Sequence, residues 1–346
     1  MTVTTPIARC SMGKYKAVTG QSQPRSGDLS AISPKDAKWD SHRSGAQSVE
    51  VLYATDSRFF KYSKRLSDCS TLLGFSESSD GSIKLKRASF CRVRHCPVCG
   101  WRRAMASVAR FMKRLPDLTR LYPSHRYIFL TLTVPNCAPD QLRAKLGDMN
   151  KGWQRLIQRT STSKTIKDPE TGKPVKTFGW PATGFIRSTE ITKGVGGSAH
   201  PHFHAILQVP AGYFKGEGYI KHEMWLQAWR DCVRDQSIMS VNIKTVKPKV
   251  DGETLQAAIC ETLKYSVKPG DIVDDRDFLF ACTEQLQGLR FISTGGTLKD
   301  LLKDEVGTDE MIGADEPGEP DEDKEASVWF GWNRSRRRYV KRRDAE

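Results

Sequence analysis

Ala199-His200-Pro201-His202-Phe203-His204, followed by Ala205-Ile206-Leu207-Gln208-Val209, places three of the seven histidines of this chain at alternate positions and runs them into an apolar stretch. Side chains alternate between the two faces of a strand, so His202 and His204 project the same way, about 6–7 Å apart along the backbone. Two neutral imidazoles on one face form half of a divalent-metal site. The alternative is that they merely decorate a sheet face or cap a turn. Upstream, Gly184–Thr192 (GFIRSTEIT) reads as a second strand, and the Gly194-Val195-Gly196-Gly197 turn between them predicts an antiparallel hairpin. That hairpin sets Glu190 near the loop end of its strand, as His202 is on its own. The carboxylate would complete a two-histidine, one-acid set with open positions for water and phosphate oxygens, suited to Mg²⁺ or Mn²⁺ and tolerant of zinc. Taken alone, Glu190 could equally be a solvated strand end.

Further strand and helix patterns flank this hairpin. Tyr127–Val134 (YIFLTLTV) is β-branched and aromatic and predicts a strand, as does Ser240–Val246. Helical spacing appears in Arg102–Leu115, in Pro139–Arg159 (Leu142, Leu146, Met149, Trp153 and Leu156), in Lys221–Arg234 and in Gly252–Val267. Hairpin strands mixed with helices indicate an α+β fold with a central antiparallel sheet flanked by helices. Residues 1–48 are polar and without apolar periodicity, and read as a disordered basic N-terminus. Residues 49–120 form a Cys-rich subdomain and helix, 121–298 the domain carrying the histidines, 299–326 an acidic linker and 327–346 a basic aromatic segment.

The formal charge is +15. Lys299–Ala326 holds 12 acidic and 3 basic residues, whereas Arg334–Glu346 holds 7 basic and 2 acidic ones, which leaves +19 on Met1–Leu298. A basic body of that size attracts polyanions, nucleic acid first among them. The N-terminus has no apolar signal-like run and no segment offers 18 consecutive apolar residues, so no membrane role is expected. Nine cysteines without a secreted framework pattern suit a reducing cytoplasm, where clustered cysteines are read as metal ligands.

One such cluster is Cys91-Arg92-Val93-Arg94-His95-Cys96-Pro97-Val98-Cys99-Gly100. Cys96-x-x-Cys99 before a glycine is a zinc-knuckle turn, and Cys91 with the upstream Cys69 would complete a Cys₄ tetrahedron of structural Zn²⁺. His95 is a weaker candidate because its neighbour Cys96 already takes a vertex. A redox Cys-x-x-Cys is the alternative, without a thioredoxin-like context. Arg92, Arg94, Arg102 and Arg103 would face a phosphate backbone. A last constellation is Glu261-Thr262-Leu263-Lys264-Tyr265-Ser266-Val267-Lys268. On a helix Glu261, Tyr265 and Lys268 share a face. A tyrosine flanked by Lys264 and Lys268 is a plausible nucleophile toward phosphorus, with Glu261 as a general base for water; an ordinary surface Glu–Lys helix is the alternative.

Together these residues resemble the rolling-circle plasmid replication initiators of the HUH endonuclease superfamily, single-tyrosine type. The order matches from about Cys69 to Lys268: a Cys-rich segment, Phe129-Leu130-Thr131-Leu132-Thr133, then His-Pro-His-Phe-His, then Lys-Tyr-x-x-Lys. The resemblance implies a palm-like nicking domain in which His202, His204 and Glu190 hold the metal. It implies that Tyr265 attacks the origin strand, leaving a 5′-phosphotyrosine and a free 3′-OH primer, and that Glu261 directs water at termination. It implies plasmid origin DNA as the partner, with host helicase and polymerase, in the bacterial cytoplasm. His200 also matches the motif, but Pro201 is expected to hold it just outside the regular strand, as a metal ligand or a DNA contact. A non-enzymatic zinc-containing DNA-binding regulator, a transposase and a conjugative relaxase are the rival readings.

Overall fold

The computed structural model describes residues 23–159, 165–167, 174–176, 178–215, 218–246, 253–264, 267, 269–302, 306–313 and 325–342. The helices are α1 (Leu29–Ile32), α2 (Lys38–Ala54), α3 (Phe60–Ser67), α4 (Pro97–Leu121), α5 (Leu142–Ile157), α6 (His222–Val233), α7 (Glu253–Leu263), α8 (Pro269–Val273), α9 (Arg276–Gln285) and α10 (Thr308–Ile312). The strands are β1 (Leu72–Glu77), β2 (Ile83–Ala88), β3 (Arg126–Thr133), β4 (Thr165–Lys167), β5 (Pro174–Lys176), β6 (Gly184–Lys193), β7 (Ala199–Val209), β8 (Val241–Val246), β9 (Ile292–Gly296), β10 (Val328–Asn333) and β11 (Arg338–Lys341). The fold is α+β with antiparallel sheets and flanking helices, as expected. None of the described helices is long and apolar enough to cross a membrane.

Two compact units are present. The histidine unit takes its described residues from Arg110–Ser266 and Glu284–Asp304. Its five-stranded sheet has the order β8-β3-β7-β6-β9, antiparallel throughout. Register follows from alternation: Ile128, Leu130 and Leu132 of β3 lie opposite Leu207, Ala205 and Phe203 of β7 and are buried with them. Phe203 on that face meets Trp153 of α5 and Trp229 of α6 at ring separations of 6.2 and 6.1 Å. All five apolar positions of the α5 stripe, Leu142, Leu146, Met149, Trp153 and Leu156, are buried. The same face holds a cation the sequence reading passed over. Arg187 lies 4.0 Å over the Phe203 ring and 5.3 Å from Trp153, and burial pushes its pKa down to about 10. The other face of the sheet carries the histidines.

The β6–β7 hairpin is the one expected from sequence, and its turn uses Gly196 and Gly197 at φ 68° and 78°, a region that side chains with a Cβ rarely adopt. Pro201 and His200 correct the expectation: both lie inside β7, opposite Ile191 and Thr192. Ala199 exchanges backbone hydrogen bonds with Cys137, so Pro201, two residues on, turns its missing N–H toward that same edge. There β3 has already ended, at Thr133 opposite His202, and no ladder bond is lost.

The second unit takes its described residues from Met1–Ala109, Val267–Thr283 and Glu305–Glu346. Its four-stranded sheet, β11-β10-β1-β2, draws its strands from opposite ends of the sequence. The expectation of a disordered 1–48 therefore fails for α1 and most of α2, and within the basic aromatic C-terminal segment β10 and β11 form a sheet hairpin. The cause of the first miss is legible in α2, whose buried residues include Asp40, Arg43, Ser44, Gln47 and Glu50. These are interleaved with buried Trp39, Ala46, Val49 and Tyr53, and several of them pair with the C-terminal hairpin. Arg338 meets Asp40 at 3.0 Å, Arg334 grips Glu50 at 2.9 and 3.0 Å, and the Tyr339 backbone N–H donates to Asp40 at 2.8 Å. The expected acidic linker is likewise structured at α10, where Met311 is buried. Its residues 303–305 and 314–324 lie outside the described ones.

His42 of α2 is buried and stacks on Trp101 of α4, centroids 4.4 Å apart at 10°. Burial, reinforced by the charges of Lys38 and Arg102, pushes its pKa down to about 3. The unfolded imidazole titrates near 6.5, so between these values only the unfolded chain takes up the proton. The neutral ring's contribution is thus intact above pH ~6.5 and declines below it by about 1.4 kcal/mol per pH unit. Urea unfolding at pH 7 and pH 5 is expected to show His42→Phe losing about 2 kcal/mol less than the native chain. Equal losses would assign the acid sensitivity to other groups.

Candidate functional site

Glu190, His202 and His204 converge on one atom. In the β6–β7 register Glu190 lies directly opposite His202, and all three side chains are buried. Glu190 Oε2 lies 3.1 Å from His202 Nε2 and 2.8 Å from His204 Nε2. The ligand-type atoms of the three fall within 4.8 Å of one another, a set that could hold a metal ion. The outer ring nitrogens are anchored as well. His204 Nδ1 lies 3.2 Å from Thr131 Oγ1, and His202 Nδ1 lies 3.3 Å from the His200 carbonyl oxygen. Proton donation through Nδ1 to these oxygens would leave both Nε2 lone pairs free for a cation beside Glu190. Thr131 belongs to the Phe129–Thr133 stretch, and its role follows from pairing with His204 across β3 and β7. Sequence reasoning missed it for lack of that register.

His200 shares the histidine face, its ring 5.3 Å from that of His202, but is not one of the three grouped ligands. Its Nδ1 is 2.6 Å from Asn136 Oδ1, and burial followed by the charge of His202 lowers its pKa. Helix α7 packs on β6, β7 and β8 and brings Glu261 and Lys264 to the site. Lys264 Nζ lies 3.0 Å from Glu190 Oε2 and 2.5 Å from Glu261 Oε1, and Glu261 Oε1 lies 4.0 Å from His204 Nε2. Burial by itself would raise the Glu190 pKa. The hydrogen bonds from both histidines and the Lys264 charge outweigh it and hold the carboxyl well below its usual range. Lys264 is correspondingly raised, its own burial outweighed by the Glu190 and Glu261 charges. The α7 helix ends at Leu263, short of the expected Val267, and Tyr265 and Lys268 lie outside the described residues. Tyr339, another tyrosine of a basic segment, is fully buried with its hydroxyl donated to the Ser70 carbonyl, so it is unsuited to attack DNA.

In the other unit the four cysteines singled out in the sequence form a compact cluster. Cys69 Sγ lies 3.6 Å from the sulfurs of both Cys96 and Cys99, and Cys91 Sγ lies 3.6 Å from Cys99 Sγ. A tetrahedral zinc with Zn–S near 2.3 Å spaces its sulfurs about 3.8 Å apart, so the donor set fits. The positions come from the loop after α3, the loop after β2 and the first turn of α4. The Gly100 N–H bonds the Cys96 carbonyl at 2.9 Å, and the Arg92 N–H points at Cys99 Sγ at 3.3 Å, made possible by φ 55° at Arg92. Hydrogen bonds from Cys91, Cys96 and Cys99 hold the Cys69 thiol well below its ordinary pKa. His95 is buried outside this group.

The arginines expected on DNA separate here. Arg92 is exposed and reaches Thr308; Arg94 and Arg103 are half-buried, the latter bonding the Cys99 carbonyl at 3.2 Å. Arg102 corrects the expectation. It is fully buried, donates to the carbonyls of Met311 and Ile312 at 2.6 and 2.9 Å, and lies about 5 Å over the rings of Trp39 and Trp101. It caps the C-terminal end of α10 and is closed to phosphate.

A family described as Replication protein matches residues 82–340, a span that includes the full histidine cluster. The chain belongs to the replication protein family. Among relatives of this replication protein, one named Protein rep from Bacillus amyloliquefaciens is 33% identical over 265 residues, covering 70% of this chain and 73% of its own. A Protein rep from Streptococcus pneumoniae serotype 2 is 30% identical over 244 residues, covering 69% and 71%. A Replication protein from Staphylococcus aureus is 30% identical over 240 residues, covering 66% of this chain and 95% of its own. No solved structure matches the chain.

Proposed function

We propose that this replication protein is a plasmid rolling-circle initiator, a DNA nickase and strand transferase of the HUH type acting on origin DNA in the bacterial cytoplasm. The observation that carries the reading is the buried Glu190–His202–His204 set, with Lys264 and Glu261 against it, in a chain of this family. Two imidazoles and one carboxylate suit a divalent ion such as Mg²⁺ or Mn²⁺, which would supply Lewis-acid polarisation of a phosphate oxygen. The Tyr265 hydroxyl, next in sequence to Lys264, attacks phosphorus. The new bond is tyrosyl O–P, the bond broken is P–O3′, and the phenolic proton passes to a base or solvent while the strand leaves with a free 3′-OH. Lysine ammonium groups screen the phosphate. Glu261, half-exposed at the site edge and in contact with Lys264, would activate water for the terminating cleavage. The cysteine cluster holds a structural Zn²⁺, and Arg92, Arg94, Arg103, Lys268 and His200 serve as DNA contacts. Host helicase and polymerase would follow at the freed primer end.

The test is to incubate the protein with a supercoiled plasmid carrying the origin of its own replicon, with Mn²⁺ or with EDTA. The expected product is a nicked circle made only with metal, its 5′ end linked to protein at Tyr265. Nicking in EDTA would take the metal out of the reading, and a DNA-linked peptide containing a different tyrosine would take Tyr265 out of it. Tight origin binding without any cleavage would favour a regulator.

A further inference from the structure

Three nitrogens converge on a single oxygen of Glu190. Oε2 lies 3.1 Å from His202 Nε2, 2.8 Å from His204 Nε2 and 3.0 Å from Lys264 Nζ. An ion held by Glu190, His202 and His204 would compete with the ammonium for this carboxylate. Lys264 therefore stands where the ion's charge belongs, and its side chain is 23% exposed whereas that of Glu190 is 6% exposed. The arrangement has a physical motive, because a buried carboxylate with no cation beside it is an uncompensated charge. An ammonium on a flexible four-carbon stem supplies the counter-charge and keeps the ligands gathered.

Two cations cannot share that oxygen without strong repulsion at such short range in a partly buried site. The structure also shows where the ammonium can go. Glu261 Oε1 already lies 2.5 Å from Lys264 Nζ, and the Glu261 side chain is 48% exposed. Withdrawal from Glu190 toward Glu261 requires rotation of the lysine stem, with no change to the sheet.

We propose that Lys264 is a positioning residue that holds the metal's place on Glu190 in the metal-free protein and is displaced onto Glu261 when the ion binds, so that metal loading sets an ammonium at the open edge of the site. The proposal rests on the reading of Glu190, His202 and His204 as a metal centre. It makes the site ordered before metal arrives, and it couples ion binding to the cation next in sequence to Tyr265.

The test is Mn²⁺ titration of the full-length protein without DNA, followed by the electron paramagnetic resonance signal of free Mn²⁺. Lys264→Met is expected to bind Mn²⁺ about tenfold more tightly than the native chain, the scale of relieving one partly screened like charge. Lys264→Arg, which keeps the charge, should stay within about twofold of native, and His202→Ala should lose the site. Lys264→Gln repeats the neutral substitution if the methionine variant does not fold. Affinity in Lys264→Met equal to or weaker than native, with binding still lost in His202→Ala, overturns the displacement and leaves the metal centre standing. Absence of His202-dependent Mn²⁺ binding in every variant overturns both.

Discussion

His204→Ala is expected to lower origin nicking by about a thousandfold or more, on the scale of the several kcal/mol that a bound metal contributes to a phosphoryl transition state. His204 Nε2 makes the shortest contact to Glu190, 2.8 Å, and its ring is held by Thr131 on one side and stacked on Phe129 at 5.3 Å on the other. A three-ligand site with open positions has no spare imidazole. Unfolding should change little by comparison, because Glu190 keeps His202 and Lys264 as partners and the substitution leaves both neighbouring strands paired. The checks are initial nicking rates at saturating Mn²⁺, Mn²⁺ affinity, and urea unfolding on the same preparations. Native nicking rates with weakened Mn²⁺ binding would detach the cluster from catalysis.

Cys96→Ser should act on the other unit, and on stability. Structural zinc in cysteine sites contributes roughly 10–16 kcal/mol of apparent binding energy at pH 7, which is folding energy where the site forms only on folding. Here the cluster ties the end of α3, the loop after β2 and the start of α4. Ser70, next to Cys69, accepts the Tyr339 hydroxyl and donates its backbone N–H to the Ser89 carbonyl at 2.8 Å. Loss of one thiolate is therefore expected to lower the stability of this unit by several kcal/mol. Exchange protection should collapse first along β1, β2 and β10. One equivalent of zinc is expected by elemental analysis of the native protein. A native protein purified under reducing conditions without zinc, unfolding at the same temperature as Cys96→Ser, would refute the site.

The histidine unit was readable because its elements carry short-range patterns. The β3 alternation, the α5 stripe and the glycine turn each bury what their period says they should, and the hairpin follows from local turn chemistry. Glu190 was legible for the same reason, since a tight hairpin leaves few choices of register. The other unit was much less so. Helix α2 buries Trp39, Ala46, Val49 and Tyr53 at helical spacing, but Asp40 and Glu50 are buried among them by pairing with Arg338 and Arg334, nearly 300 residues away, and this obscures the stripe. No window of neighbouring residues contains that information. Arg102 misled for a related reason: arginine beside a Cys-x-x-Cys turn suggests phosphate, but α10 and two tryptophans closed over it.

By itself, the order of residues determined the α+β class and singled out Glu190, His202 and His204 and the four cysteines as candidate metal ligands, because spacing along a strand, a hairpin or a knuckle turn is a local property of the backbone. Tertiary structure alone decided that strands from the two ends of the chain share one sheet, that His200 sits within β7 and that Arg102 is buried. It also decided that Thr131 backs His204 and that Lys264 rests on Glu190. Each of these depends on pairing between distant segments, where burial selects one partner for each charge and hydrogen-bonding group from many that the sequence offers.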